Sequence, residues 1–159
     1  MSEYKGILIF SDTYDLALEM LGKGRELADK LQTELAALLI GNNVQEKANE
    51  LINHGADKVY LIDNPALESF QPETYLGALH SLAANYRPEI LLIGSTKNGK
   101  PLAARLATRL ETGCVPDCTK LSVDQNRRLI AERITYGGNA IAKVTFKSKR
   151  SIDQHGSFL

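Results

Sequence analysis

Four short apolar runs, each followed by a helical pattern, constrain this 159-residue chain more than any other feature. They are Ile7–Phe10 (ILIF), Leu35–Ile40 (LAALLI), Lys58–Ile62 (KVYLI) and Ile90–Gly94 (ILLIG). The apolar core of the first, Ile7–Phe10, is continuous rather than alternating, which is the pattern of a strand covered on both faces, and the second and fourth also read as buried. Leu16, Met20, Leu27 and Leu31 stripe a helix after the first run, with Ser11, Asp12 and Thr13 offering N-cap oxygens. A shorter helix is predicted over Val44–Asn53 with Gly55 as its C-terminal cap. Glu73–Tyr86 turns Leu76, Leu79, Leu82 and Ala83 inward. Leu102, Leu106 and Leu110 stripe a fourth helix that Gly113 ends. Strand and helix alternating four times predict an α/β fold. Its mostly parallel, doubly wound sheet should carry helices on both faces.

The grammar changes after Gly113. Cys118–Val123, Leu129–Tyr136 and Ala140–Lys147 are strand-like with no helix between them. Asp124–Arg127 and Gly137-Gly138-Asn139 are turn chemistry, so antiparallel hairpin strands are predicted at the C-terminal end. Residues 1–150 read as one domain, with no internal boundary or repeat. The polar tail, 151–159, is expected to fray. Gly22 and Gly24 each cost about 1 kcal/mol inside a helix, and close packing on the sheet is the expected reason for both.

Composition narrows the function classes. Nineteen basic residues balance nineteen acidic ones, so no global field draws in nucleic acid or an anionic membrane. There is no tryptophan, with four Phe and six Tyr, a poor supply for a base-stacking platform. No apolar run approaches the roughly 20 residues of a membrane span. The start, MSEYKGILIF, has too short an apolar part for a secretory signal, so a cytoplasmic location is expected. No Ser-His-Asp order, paired-carboxylate motif or His-Glu-x-x-His appears, and no catalytic role is expected. His54, His80 and His155 form no ligand-spaced set with Cys114 and Cys118. Those cysteines, four positions apart, lie roughly 13 Å from one another if extended, too far for a disulfide. They read as two small buried thiols.

The stretch most suited to a ligand is Gly94-Ser95-Thr96-Lys97-Asn98-Gly99-Lys100-Pro101. It should lie at the carboxyl end of a parallel strand and open a helix with free backbone N–H groups. Pro101 fits the first helical position. Gly94 and Gly99 permit close approach, Ser95 and Thr96 offer hydroxyls, and Lys97 and Lys100 stand where the helix dipole disfavours cations unless an anion is near. The run is neither a Walker A motif nor Gly-x-Gly-x-x-Gly. Ser11 and Asp12 should face the same crevice at the topological switch point. The bland reading of the loop is a solvent-facing connection, and that of Asp12 is a helix N-cap, the one favoured here. Arg127, Arg128, Arg133, Lys143, Lys147, Lys149 and Arg150 gather charge in the hairpin region, either as a solvated face or as a docking surface.

Taken in order, KGILIF, GADKVYLID, EILLIGSTKNGKPLAARLATRLETGCVPDCTKL and ITYGGNAIAKV resemble the amino-terminal domain of the alpha subunit of electron transfer flavoproteins, over roughly residues 5 to 147. The resemblance implies a domain related to adenine-nucleotide-binding and universal stress-type folds. It implies electron transfer as part of a flavoprotein complex, with FAD held mostly in a carboxy-terminal domain that has no counterpart in these residues. The implied partners are a beta-like subunit and the FAD-carrying domain. It also implies that the ancestral nucleotide site of this domain is vacant. Two other readings stay open: a stand-alone AMP or ATP binder using Ser11, Asp12 and the loop 94–101, and a homodimer formed through the hairpin face.

Overall fold

The computed structural model describes residues 4–135, 138, 140–145 and 151–155. The four predicted strand–helix units are present. They run β1 (Ile7–Phe10), α1 (Tyr14–Leu31), β2 (Leu35–Gly41), α2 (Gln45–Asn53), β3 (Lys58–Asp63), α3 (Pro72–Tyr86), β4 (Ile90–Gly94) and α4 (Gly99–Arg109), with a 3-10 turn at Pro65–Leu67. Then come β5 (Cys114–Cys118), β6 (Lys120–Val123), β7 (Leu129–Thr135), β8 (Ala140–Thr145) and β9 (Ser151–His155).

Six of these strands form one parallel sheet in the order β3-β2-β1-β4-β9-β5. β1 is central, with Ile7 beside both Leu35 and Ile90. The unbroken apolar runs follow from this position, because successive side chains of a strand enter opposite faces. Ile7 and Ile9 pack with α1 and α2, while Leu8 and Phe10 pack with α3 and α4.

The remaining strands form an antiparallel sheet in the order β6-β7-β8. Its inner residues Leu121, Leu129 and Ala131 enter the core that α1 occupies. Lys23 on α1 donates to the Leu121 carbonyl at 3.4 Å. The sheet thus takes the layer that a further crossover helix would fill between β5 and β9.

Several expectations need correction. The tail was expected to fray, yet Ser151–His155 forms β9, whose backbone pairs with β4 on one side and β5 on the other. Backbone pairing needs no apolar side chain, so hydropathy could not signal it. The expected strand Cys118–Val123 is divided: Cys118 ends β5 in the parallel sheet, and Lys120 begins β6 in the other. Gly113 does not end α4; the helix stops at Arg109, and Glu111 takes the left-handed conformation (φ 54°). Close packing explains Gly24, where an added Cβ would lie 2.8 Å from Leu35 Cδ1, but not Gly22, which meets nothing within 4 Å. Of the two cysteines, Cys118 is buried and Cys114 half-buried. The turn glycine and asparagine at 137 and 139, Lys147, Lys149, Arg150 and residues 156–159 lie outside the described residues.

Candidate functional site

The chain leaves β1 toward β2 on one side and β4 on the other, so the crevice between the carboxyl ends of β1 and β4 is the switch point of the sheet. Ser11 and Asp12 reach it from β1, and the loop 94–98 reaches it from β4. Ser11 is buried, and its Oγ accepts the Thr13 N–H at 3.0 Å.

Asp12 is not the N-cap of α1. That position is held by Thr13, which makes no side-chain cap bond. The Asp12 carboxylate instead crosses the crevice. It accepts the Thr96 hydroxyl at 2.6 Å and the Asn98 amide at 3.0 Å. Thr96 Oγ1 in turn accepts the Gly99 N–H at 2.9 Å. Asn98 is the N-cap of α4 and Gly99 its first residue, so Pro101 is the third helical residue rather than the first. Its missing N–H is still harmless, because the first four N–H groups of a helix have no intrahelical acceptor. The negative charge that this helix start favours is therefore supplied by the protein, relayed from Asp12 through Thr96.

A second carboxylate engages the same loop from the other side. Asp117 lies at an irregularity in β5, in the left-handed region (φ 52°). It accepts the Ser95 hydroxyl at 2.9 Å and pairs with the Lys100 ammonium at 2.8 Å. Lys100 first, and then Ser95, hold its carboxyl below the usual carboxylate range. Sequence reasoning does not connect Asp117 to the loop. No local signal could have done so, since 22 residues separate it from Ser95.

The two loop glycines are required by the loop itself. A Cβ on Gly94 would lie 2.6 Å from Ser11 Oγ, and one on Gly99 only 1.9 Å from the Gly94 carbonyl oxygen. Lys97 is exposed. It lines a hollow of about 110 Å³ with Phe70, Pro72 and Arg105. Of the eight candidate residues, the structure gathers Ser11, Asp12, Gly94, Thr96 and Gly99 at the switch point. It draws Ser95 and Lys100 to Asp117 and leaves Lys97 apart.

Beside the crevice, over the carboxyl ends of β1 and β2, is a cleft of about 230 Å³. Asp12, Asn42, Lys47 and Glu68 supply its charged and polar lining, with Tyr14, Phe70 and Tyr75 among the rest. The Lys47 ammonium sits 4.9 Å from the centre of the Tyr14 ring, and the Tyr14 hydroxyl donates to Glu50. Desolvation, aided by Glu50, pushes the Tyr14 pKa up to about 12. The volume is below the roughly 300–1,000 Å³ of ordinary cofactor sites. Lys47 and Glu68 stand far apart in the sequence, which carries no motif for this cleft. Among the described residues no three of His, Cys, Asp and Glu gather as a metal set, and no helix is long and apolar enough to cross a membrane.

Comparison with known proteins adds three findings. The family model described as "Electron transfer flavoprotein domain" matches residues 12–151. The electron transfer flavoprotein subunit alpha of Thermoanaerobacterium thermosaccharolyticum is 43% identical over 155 residues, covering 94% of this chain and 47% of that protein. The corresponding subunit of Clostridium acetobutylicum is 42% identical, covering 94% of this chain and 46% of that one. The chain thus spans a little under half the length of these curated relatives. Among solved structures, a universal stress protein from Archaeoglobus fulgidus in complex with dAMP aligns with a TM-score of 0.43 at 13% identity, covering 69% of this chain and 93% of that one.

Proposed function

Because the chain belongs to the electron transfer flavoprotein domain family, we propose that these residues form an assembly domain of an alpha subunit and perform no chemistry of their own. Electron transfer is then a property of the complex, and FAD is held mainly by a carboxy-terminal domain outside these residues. The domain would dock that FAD-carrying part and a beta-like subunit in the cytoplasm.

One observation carries this reading: the carboxylate at the switch point, that of Asp12, is turned onto the loop that opens α4. It takes two donors from the loop and lies beside the first turn of α4. A phosphate brought to this loop would meet the Asp12 charge and find the Thr96 hydroxyl, the Asn98 amide and the Gly99 N–H already engaged. The second cation of the loop, Lys100, is held by Asp117. These engaged groups support the reading in which the crevice takes no nucleotide phosphate.

The competing reading, a stand-alone AMP or ATP binder, has one feature in its favour, the cleft that Lys47 lines beside the crevice. Three measurements separate the two. An assembly domain purifies colourless, keeps its melting temperature in millimolar AMP or ATP, and co-elutes with a beta-type subunit when the two are co-expressed. A yellow preparation, or a nucleotide-dependent rise in melting temperature, would overturn the assembly reading.

A further inference from the structure

The end of β5 is tied to β7. The Thr119 N–H donates to the Glu132 carbonyl at 2.7 Å. Asp117 comes two residues before Thr119, and Arg133 is the residue after Glu132. The bond therefore brings the two side chains into one neighbourhood, and the Arg133 charge acts on the Asp117 carboxyl. Leu129 and Ala131 enter the core, and the alternation of a strand puts Arg133 next on that inner face. It stands just past Glu132, where the pairing of β7 with β6 ends.

Arg133 is half-buried. Its Nε–H is shielded from solvent and meets no acceptor among the described residues. A guanidinium is always charged and holds its donors in a planar fork. A shielded donor with no acceptor is a cost that native structures rarely leave standing. Asp117 does not discharge it, because its Oδ1 already takes the Ser95 hydroxyl at 2.9 Å and the Lys100 ammonium at 2.8 Å.

The charges of this group do not cancel. Lys100 and Arg133 are positive and Asp117 alone is negative, so one positive charge is left over. The side chains of Lys100 and Asp117 are 48% and 54% exposed, which leaves the site open to solvent on their side. A monoanion with two coplanar oxygens matches both the surplus charge and the fork. A phosphate, largely dianionic at neutral pH, brings a further negative charge beside Asp117.

We infer that Arg133, flanked by Lys100, is a binding site for a carboxylate, supplied by a small organic acid or by a side chain of another protein. The site lies across the loop 94–98 from Asp12 and is separate from the switch-point crevice. It does not depend on the assembly reading above.

The test follows the Arg133 Nε–H signal in proton–nitrogen correlation spectra of this chain, identified by its loss in Arg133→Lys. Sodium acetate is exchanged for sodium chloride at constant ionic strength. A saturable shift of that signal is expected, with a rise in melting temperature. Arg133→Lys keeps the charge and loses the fork, so acetate should raise its melting temperature only at about tenfold higher concentration. Asp117→Asn removes the resident negative charge. It should bind acetate more tightly and admit inorganic phosphate, and it keeps the site testable should Arg133→Lys fold poorly. A signal that stays still throughout the exchange refutes the site and leaves the donor to a trapped water. Equal acetate binding by Arg133→Lys would refute the role of the arginine. Repeating the exchange with a beta-type electron transfer flavoprotein subunit present separates the two sources. A protein carboxylate moves the signal by itself and blocks acetate, whereas a site for a free acid takes acetate as before.

Discussion

The Thr96 hydroxyl donates to the Asp12 carboxylate at 2.6 Å and, on its other side, accepts the Gly99 N–H. Residues 84 positions apart thus join the end of β1 to the first turn of α4. Removing the carboxylate leaves two half-buried donors without their acceptor. Asp12→Ala should cost about 1–3 kcal/mol, read as a lower urea midpoint at unchanged m-value. Combined with Thr96→Val, the double variant should lose less than the sum of the singles. Strict additivity would mean the bond contributes nothing.

Two glycine substitutions should move stability in opposite directions. Gly99→Ala forces a methyl against the Gly94 carbonyl, where backbone must yield. A loss of about 1–3 kcal/mol or more is expected. Gly22→Ala sits on the exposed side of α1 with open space around it. It should gain about 0.5–1 kcal/mol from the lower entropy of the unfolded chain. Thermal melts of the two variants beside wild type check both signs.

The contrast between them shows what could be read from the chain. The buried strands were legible because Ile7–Phe10 and Ile90–Ile93 are covered on both faces and so carry apolar residues without interruption. The direct partners of Asp12 were not legible, because a helix N-cap offered a local explanation for it, and the true partners arrive only when β1 and β4 pair. β5 was hidden for another reason. Its CVPDC sequence contains a proline and a left-handed aspartate, both poor strand formers. β9 was hidden because SIDQH is polar, although its backbone completes the sheet.

Acid should weaken the fold through two carboxylates. Asp57 accepts the Leu35 N–H and the Arg25 guanidinium, each at 2.9 Å, and these hold it below the ordinary carboxylate range, the backbone donor first. Asp117 is held down by Lys100 and Ser95. A group whose folded pKa is depressed stabilises the fold above its unfolded pKa and loses that contribution as pH falls through the folded value. The urea midpoint should therefore stay level from about pH 7 to about pH 5 and drop below about pH 4. Asp57→Asn should lower the midpoint at neutral pH and flatten the acid limb. A midpoint that rises on acidification would contradict the assignment.

The antiparallel sheet is fastened at its far end by one side chain. Arg127 donates to the Leu31 carbonyl at the end of α1 at 2.8 Å and pairs with Glu89 at 3.2 Å. Glu89 is largely covered, so removing its partner leaves a shielded charge. Arg127→Ala should cost about 1–3 kcal/mol. In hydrogen exchange, the amides of β6 and β7 should lose protection while those of β1 and β4 keep theirs. Equal loss in both sheets would show that the clasp is not local.

The position of β9 sets the order in which the molecule can be made. As the chain leaves a ribosome, β1 to β4 can assemble among themselves, but β5 emerges with no neighbour to join. The slot beside β4 belongs to β9, a strand synthesised more than thirty residues later, and β5 pairs only with that strand. Until Ser151–His155 arrives, the β4 edge stays open and β5 waits with the meander that follows it. Closing the sheet is then a single late event of long loop closure, the kind of step that slows folding. A nascent chain is most exposed to wrong strand pairing in the interval before it.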